Sequence, residues 1–394
     1  MNIAVIGKNF GDEGKGLVTD YLAASMERPL VIRHNGGAQS GHTVETPTYR
    51  FVFHELSSGS FRHADTLWAD TFYPDLYKLE EEIEGFRQIA GFIPNIYAEP
   101  DTAITTIDDV LLNMAIERSR GDYRHGSCGM GINECDIRCR AGFRLTISKI
   151  KSKTEQDLIQ TLRYQRKEYT KQRLKDIESI LTSEAESYID LLRDDSILIN
   201  SAREIYKNAK QVIIQEPKDL QTYSDLIFEG GQGLLLDKDN EEYAPNVTAS
   251  STGLTNPIAF LTKINQPLDE AIYVSRTYVT RHGPGKLNHE CTRQTLNLIQ
   301  TDQTNLPNEW QGPLRYATHG TAQDFTDPVR RDLKQLPKNQ PTPTVSLFLT
   351  HINETGNKVL LSAGKIDINE FVTLEDIKKL FDKMYLSDRR YADA

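Results

Sequence analysis

The apolar run Ile3-Ala-Val-Ile6 leads directly into Gly7-Lys-Asn-Phe-Gly11-Asp12-Glu13-Gly14-Lys15-Gly16. A buried strand that ends in a glycine-rich turn and continues as a helix is the opening of an α/β unit, so this segment limits the choice of fold more than any other. Glycines let the backbone close around an anion, with its N–H groups inward and the positive end of the next helix beside them. The spacing is not that of a Walker A loop, which needs four residues between its glycines and a hydroxyl after the lysine. Here Lys8 to Glu13 separate Gly7 from Gly14, and Gly16 follows Lys15. The enlarged loop carries two carboxylates, Asp12 and Glu13, where phosphates would repel them. Such acids are costly unless they have a magnesium ion or a proton to handle.

A chain of 394 residues can bury a large core, here expected as one domain over 1–394. Its net charge of −10 argues against sequence-independent nucleic-acid binding, which needs a basic face. Apolar runs are too short to span a membrane, and the chain reads as soluble and cytoplasmic, with neither membrane nor nucleic acid as partner. Cys128, Cys135 and Cys139 lie close together near His125 but form no C-x-x-C pair, so reduced thiols are a better reading than a zinc site.

Short apolar runs (Ile3–Ile6, Leu30–Ile32, Thr66–Ala69) alternate with helical stretches such as Gly16–Ser25 and Asp75–Ile83, which predicts an α/β fold with a large, mainly parallel twisted sheet wrapped by helices. Residues 150–210 lack glycine and space Leu158, Leu162, Ile177, Ile180, Leu181, Leu191 and Leu192 as helices do, which predicts two or three helices on one side of the sheet. Strand-like runs return at Leu226–Phe228, Ala271–Ser275, Val345–Leu349 and Lys358–Leu361. The C-terminal third is expected to be rich in loops, with 286–344 as a substrate-loop region.

A second glycine-rich turn, Arg33-His-Asn-Gly-Gly-Ala-Gln39-Ser-Gly41-His42-Thr43, follows the second strand. Alone it reads as a tight turn with one satisfied histidine, or as the opposite wall of a site at the carboxyl edge of a sheet. Together, Gly11-Asp-Glu-Gly-Lys-Gly16 and Gly36-Gly-x-x-x-Gly-His-Thr43 resemble the adenylosuccinate synthetase family, whose members join aspartate to the 6-oxo position of a purine nucleotide. Further blocks follow in order. Gly126-Ser-Cys-Gly-Met-Gly-Ile132 is similar to the family's phosphate-gripping segment, Arg140-Ala-Gly-Phe-Arg144 to its Arg-Arg-Gly-Leu-Arg segment, and Phe228-Glu-Gly-Gly-Gln232-Gly to its Phe-Glu-Gly-Ala-Gln-Gly stretch. Asn246-Val-Thr248 comes next, and Thr280-Arg281-His-Gly-Pro-Gly285 matches a Thr-Arg-Val-Gly-Ala-Gly turn.

The resemblance implies a P-loop-NTPase-like fold and assigns roles residue by residue. Asp12 is the base for the purine N1 proton and, with the Gly41 carbonyl, a ligand of Mg2+. His42 is the donor to the transferring phosphoryl group and the departing oxygen, with Lys15 and Gln232 completing the catalytic set. A nucleoside triphosphate, GTP or ATP, is held by Gly11, Glu13, Gly14, Lys15, Gly16, Gly41, His42 and Thr43, with His351, Asn353, Ser362 and Gly364 at its base. The substrate nucleotide and L-aspartate are held by Gln39, Ser127, Cys128, Arg140, Gln232, Leu236, Thr248, Arg281, Gly285 and Arg315. Arg140 acts in trans across a homodimer.

The selecting segments depart from the family's pattern. Thr350-His-Ile-Asn353 replaces Thr-Lys-Leu-Asp, and an Asn offers one donor and one acceptor where Asp offers guanine two acceptors, so ATP stands beside GTP as donor. Asn308-Glu-Trp-Gln-Gly312-Pro-Leu-Arg315 replaces the arginine-rich aspartate loop, leaving one clamp arginine, with Trp310 read as core and Arg281 or Arg293 as helpers. Gln39 and Cys128 stand for Asn and Thr. A phage branch of the family acts on deoxyguanylate and replaces the loop aspartate by serine, whereas Asp12 is retained here, which favours IMP over (d)GMP. A nucleotide-binding regulator on a retired scaffold is the alternative from another class.

Overall fold

In the computed structural model, which describes residues 1–220, 222–299 and 310–388, the first strand is Asn2–Gly7 (β1). Alternate side chains point to opposite faces. Ile3 and Val5 pack with Val18, Leu22, Val31, Ile227 and Ile272 on one side. Ala4 and Ile6 pack with Ile32, Phe228, Phe260, Tyr273 and Leu347 on the other. With both faces covered the strand is apolar from Ile3 to Ile6, as central strands of parallel sheets are.

The remaining strands of the sheet are Leu30–Arg33 (β2), Asp65–Trp68 (β3), Ile96–Ala98 (β4), Val212–Ile214 (β5), Leu226–Gly233 (β6), Glu270–Arg276 (β7), Thr344–Thr350 (β8) and Lys383–Leu386 (β9). They lie in the order β9-β8-β7-β1-β6-β2-β3-β4-β5, every neighbouring pair parallel. From β1 the chain travels one way through β2 to β5, returns to insert β6 beside β1, then builds β7 to β9 on the far side. That reversal puts a crevice at the carboxyl ends of β1, β2, β6 and β7, where open α/β sheets bind ligands.

The 150–210 segment contains four α-helices: Glu155–Gln165, Lys171–Asp176, Glu186–Arg193 and Asp195–Ala209. Leu158, Leu162, Leu198 and Ile205 join Trp68, Phe72 and Phe86 in one apolar cluster, so Glu155–Gln165 and Asp195–Ala209 cover the β3–β5 end of the sheet. Leu192 of Glu186–Arg193 packs with Leu111 and Ile116 of the helix Ile107–Arg120.

The strand expected at Lys358–Leu361 forms, and it pairs with Gly364–Asp367 in a separate antiparallel hairpin. Two expectations need correction. The polar stretch before Thr344 is not all loop, since Thr321 and Asp324 form a capping box that starts a helix over Ala322–Leu333. The second helix runs Leu79–Ala90, later than the sequence spacing placed it.

Candidate active site

The loop after β1 turns one of its own carboxylates inward. Glu13 Oε1 accepts hydrogen bonds from the backbone N–H groups of Asn9 and Gly11, both 2.9 Å away, and Lys15 Nζ lies 3.6 Å from Glu13 Oε2 while donating to the Gly11 carbonyl at 2.7 Å. Glu13 thus faces the loop backbone, and its repulsion toward a phosphate is offset by Lys15. Gly14 has φ 94°, the left-handed turn that starts the helix Lys15–Ala24 without a side-chain cap. Thr350, at the end of β8, donates from Oγ1 to the Glu13 carbonyl at 2.7 Å and ties the loop to the strand.

Asp12 points the other way, into a cavity of about 330 Å³. No described residue hydrogen-bonds its carboxylate oxygens. Burial pushes its carboxyl above the usual carboxylate range, and His282 and Arg276 oppose that shift in part. An unpaired carboxylate made more basic by its surroundings suits proton abstraction.

The turn after β2 supplies the opposite wall. His42 Nδ1 lies 2.9 Å from Glu229 Oε1, and Glu229 Oε2 lies 3.7 Å from Arg33 Nε, with all three side chains buried. Burial pushes His42 down to about 4, against the pull of Glu229. Glu229 resists its own burial because His42 and Arg33 hold it at about 2. His42 is therefore neutral near pH 7, and its Nε2 is buried without a protein hydrogen-bond partner. A folded-state pKa below that of the unfolded chain has a definite sign in stability. The unfolded chain takes up a proton between about 6.5 and about 4 that the native site refuses, so this contribution falls as pH falls through that window. Denaturation midpoints should therefore show wild type losing stability relative to His42→Gln between pH 7 and pH 4.

Gly11, Asp12, Gln39, Gly41, His42, Ser127, Cys128, Gln232, Leu236, Thr248 and Arg281 all line this cavity. Burial pushes the Cys128 thiol up to about 11, so it stays uncharged beside an anion. Arg281 is pushed down to about 10, chiefly by burial, and remains a cation. Its Nη2 donates to the Asn246 carbonyl at 2.9 Å, and its guanidinium lies over the Phe10 ring. Gly285, at φ 98°, makes room for it. A Cβ there would meet Arg281 Nη2 at 2.7 Å and Asn246 Cβ at 2.8 Å, so Gly285→Ala should cost about 2 kcal/mol or more, measured by urea denaturation.

Other expected residues are placed elsewhere. Arg315 is not free to clamp a substrate carboxylate, because it pairs with Glu290 and donates to the Gly283 and Gly285 carbonyls at 3.0 and 2.8 Å, bracing that turn. Arg140 is largely exposed and paired with Asp136, outside the cavity lining. His351 Nδ1 lies 2.9 Å from Glu354 Oε1, and with Asn353 it sits beyond the end of β8 rather than in this cavity. Ser362 lies in the turn of the small hairpin and Gly364 opens its second strand. Trp310 packs on the cavity's Gly126–Gly131 wall, where a Cβ on Gly129 would meet it at 3.3 Å, so it is not core. Asn308 lies outside the described residues.

Sequence reasoning missed Glu229, Arg33, Asn113, Glu117 and Arg120. Glu229 was visible inside the Phe228-Glu-Gly-Gly-Gln232 block, whereas Asn113, Glu117 and Arg120 lie on the helix Ile107–Arg120 with no local signal. Metal-ligand geometry is sparse as well. Among the described residues no cluster of three His, Cys, Asp or Glu could cage an ion. Mg2+ needs no such cage, because it keeps waters and phosphate oxygens and takes one or two protein oxygens, so Asp12 and the Gly41 carbonyl fit it.

The family model described as adenylosuccinate synthetase matches residues 4–308. The adenylosuccinate synthetase of Gloeothece citriformis (strain PCC 7424) is 30% identical over 310 residues, covering 76% of this chain and 64% of that protein. That of Crocosphaera subtropica is 30% identical over 296 residues, covering 72% and 61%. The chain thus matches less than two thirds of the length of these relatives. Among solved structures, fully ligated adenylosuccinate synthetase from Plasmodium falciparum superposes with TM-score 0.71 at 16% identity, covering 99% of this chain and 98% of that one. Cyanophage S-2L succinoaminodeoxyadenylate synthetase, bound to dGMP and dATP as an energy donor, gives 0.60 at 16% identity, covering 99% and 93%. The structural matches share the fold, and the sequence match carries the glycine-rich loops that build the cavity: the chain belongs to the adenylosuccinate synthetase family.

Proposed function

We propose that the chain is a C–N ligase of the adenylosuccinate synthetase type, condensing a 6-oxopurine nucleotide, IMP, with L-aspartate at the expense of a nucleoside triphosphate. The observation that carries this reading is one cavity lined by both Asp12, whose carboxyl burial makes more basic, and His42, whose Nε2 is buried without a hydrogen-bond partner. Asp12 accepts the purine N1 proton, which makes O6 nucleophilic toward the γ-phosphoryl group. His42, neutral in the empty cavity, gains a proton more readily when the phosphoryl dianion arrives, because a nearby negative charge favours imidazolium. It then donates from Nε2 to the oxygen that leaves as phosphate when the aspartate amine attacks C6. Lys15 and the loop amides neutralise charge on the phosphoryl group. Mg2+, held by Asp12 and the Gly41 carbonyl, would supply charge neutralisation on phosphate oxygens.

Ser127, Cys128, Gln39, Gln232 and Thr248 hold the substrate nucleotide, and Arg140 reaches that of a second copy in a cytoplasmic homodimer. Arg281, which lines the cavity while donating to the Asn246 and Lys286 carbonyls, is the proposed cation for an aspartate carboxylate. Retention of Asp12 favours IMP. The fold shared with a dGMP- and dATP-bound synthetase keeps dGMP as the second substrate to test.

The test is a matrix of IMP, dIMP, GMP and dGMP against GTP, ATP and dATP, with aspartate and Mg2+, read by phosphate release and product mass. Adenylosuccinate from IMP is expected. Turnover of dGMP but not IMP would reassign the substrate, and no turnover in any combination would reject the ligase.

A further inference from the structure

The segment Gly126–Gly129, which resembles a phosphate-gripping segment and whose Ser127 and Cys128 are proposed above to hold the substrate nucleotide, already holds an anion. Glu117, on the helix Ile107–Arg120, is only 2% exposed. Its Oε2 accepts hydrogen bonds from the backbone N–H groups of Gly126, at 3.0 Å, and Ser127, at 3.2 Å. Two successive amides converging on one oxygen form an anion-binding nest. The Ser127 hydroxyl turns aside to Asn113 Oδ1, at 2.8 Å, and Gly131 N–H points to the same oxygen at 3.2 Å. Glu117, Asn113, Arg120, Gly126 and Ser127 all line the cavity, so the occupied nest opens onto the space a ligand would enter.

We propose that Glu117 is a self-inhibiting latch: its carboxylate occupies the nest of a substrate phosphate as an intramolecular competitor, which a phosphate must displace to bind there. The inference rests on the nucleotide reading of the cavity. A neutral ligand offers the two amides no better acceptor than the carboxylate, because hydrogen bonds to ionised acceptors are the stronger ones. A phosphate dianion does compete, and it cannot share the nest, since two anions there repel. Arg120 Nη1, 2.6 Å from Glu117 Oε1 on the same helix, gives the displaced carboxylate a counter-charge to swing with. The latch thus subtracts from phosphate affinity and leaves the affinity for a neutral ligand unchanged.

The two roles of Glu117, competitor and structural strut, predict opposite results. Isothermal titration of the full chain would compare IMP with inosine for wild type, Glu117→Gln and Glu117→Ala. Removing a competing charge-assisted contact should tighten IMP by about fivefold or more in both variants and change inosine by less than about twofold. Trp310, packed on Gly129, gives a second readout, because IMP should shift its emission in wild type and inosine should not. Equal IMP affinity in wild type and variants, or parallel weakening of both ligands, would overturn the latch while leaving the nucleotide reading standing. Absence of IMP binding to wild type and both variants would overturn the nucleotide reading, and the latch with it.

Discussion

Asp12→Asn is expected to bind nucleotide and to turn over at least about a thousandfold more slowly than wild type. Asn keeps the shape of the loop, and the anchoring contacts of Glu13 and Lys15 do not involve the Asp12 side chain. What it loses is the carboxylate proposed to accept the N1 proton and to hold magnesium, and positioned general bases account for about 10²–10⁴ in rate. Phosphate release under saturating substrates measures the loss, and equilibrium binding of IMP measures what is retained. Near wild-type turnover would remove Asp12 as the base. Loss of binding together with turnover would make its role structural.

Glu229→Gln is expected to damage both stability and chemistry. Glu229 lies fully buried between His42 and Arg33, at 2.9 and 3.7 Å. Neutralising it leaves the equally buried Arg33 with neutral partners only, the Leu56 carbonyl and the Ser40 hydroxyl. Removing one member of a buried ion pair costs about 3–5 kcal/mol, because the remaining charge stays desolvated. The same change takes away the group that favours protonation of His42, so turnover should fall about a hundredfold in protein that is still folded. The urea midpoint reads the first effect and phosphate release the second. An unchanged midpoint would mean that water or another group already screens Arg33.

The parts legible in the sequence are those written in local pattern. The strand–loop–helix at residues 2–24 was readable because the Ile3–Ile6 run and the glycines lie side by side, and the turn Gly36–Thr43 followed the same grammar. Ile96–Ala98, Val212–Ile214 and Lys383–Leu386 escaped because three- and four-residue strands away from the sheet centre are too short to set a period. The helix Ala322–Leu333 was hidden by its polar composition and by Pro328. At the site, residue identities were readable and their partners were not. Nothing local says that Glu13 turns into its own loop while Asp12 next to it faces the cavity, or that Glu117 reaches the amides of Gly126 and Ser127. Nor does sequence reveal that Arg315 is engaged by Glu290 and two carbonyls. Those assignments depend on contacts between distant segments, which only the assembled sheet brings together.

The central claim is that the cavity transfers a phosphoryl group to the purine O6 before the amine attacks. Turnover of IMP carrying ¹⁸O at C6, with the nucleoside triphosphate, aspartate and Mg2+, tests it directly by mass analysis of the phosphate released. The account predicts one ¹⁸O in each phosphate formed with adenylosuccinate. Unlabelled phosphate accompanying product would mean that the triphosphate is hydrolysed by water rather than by transfer to O6, and would contradict the account.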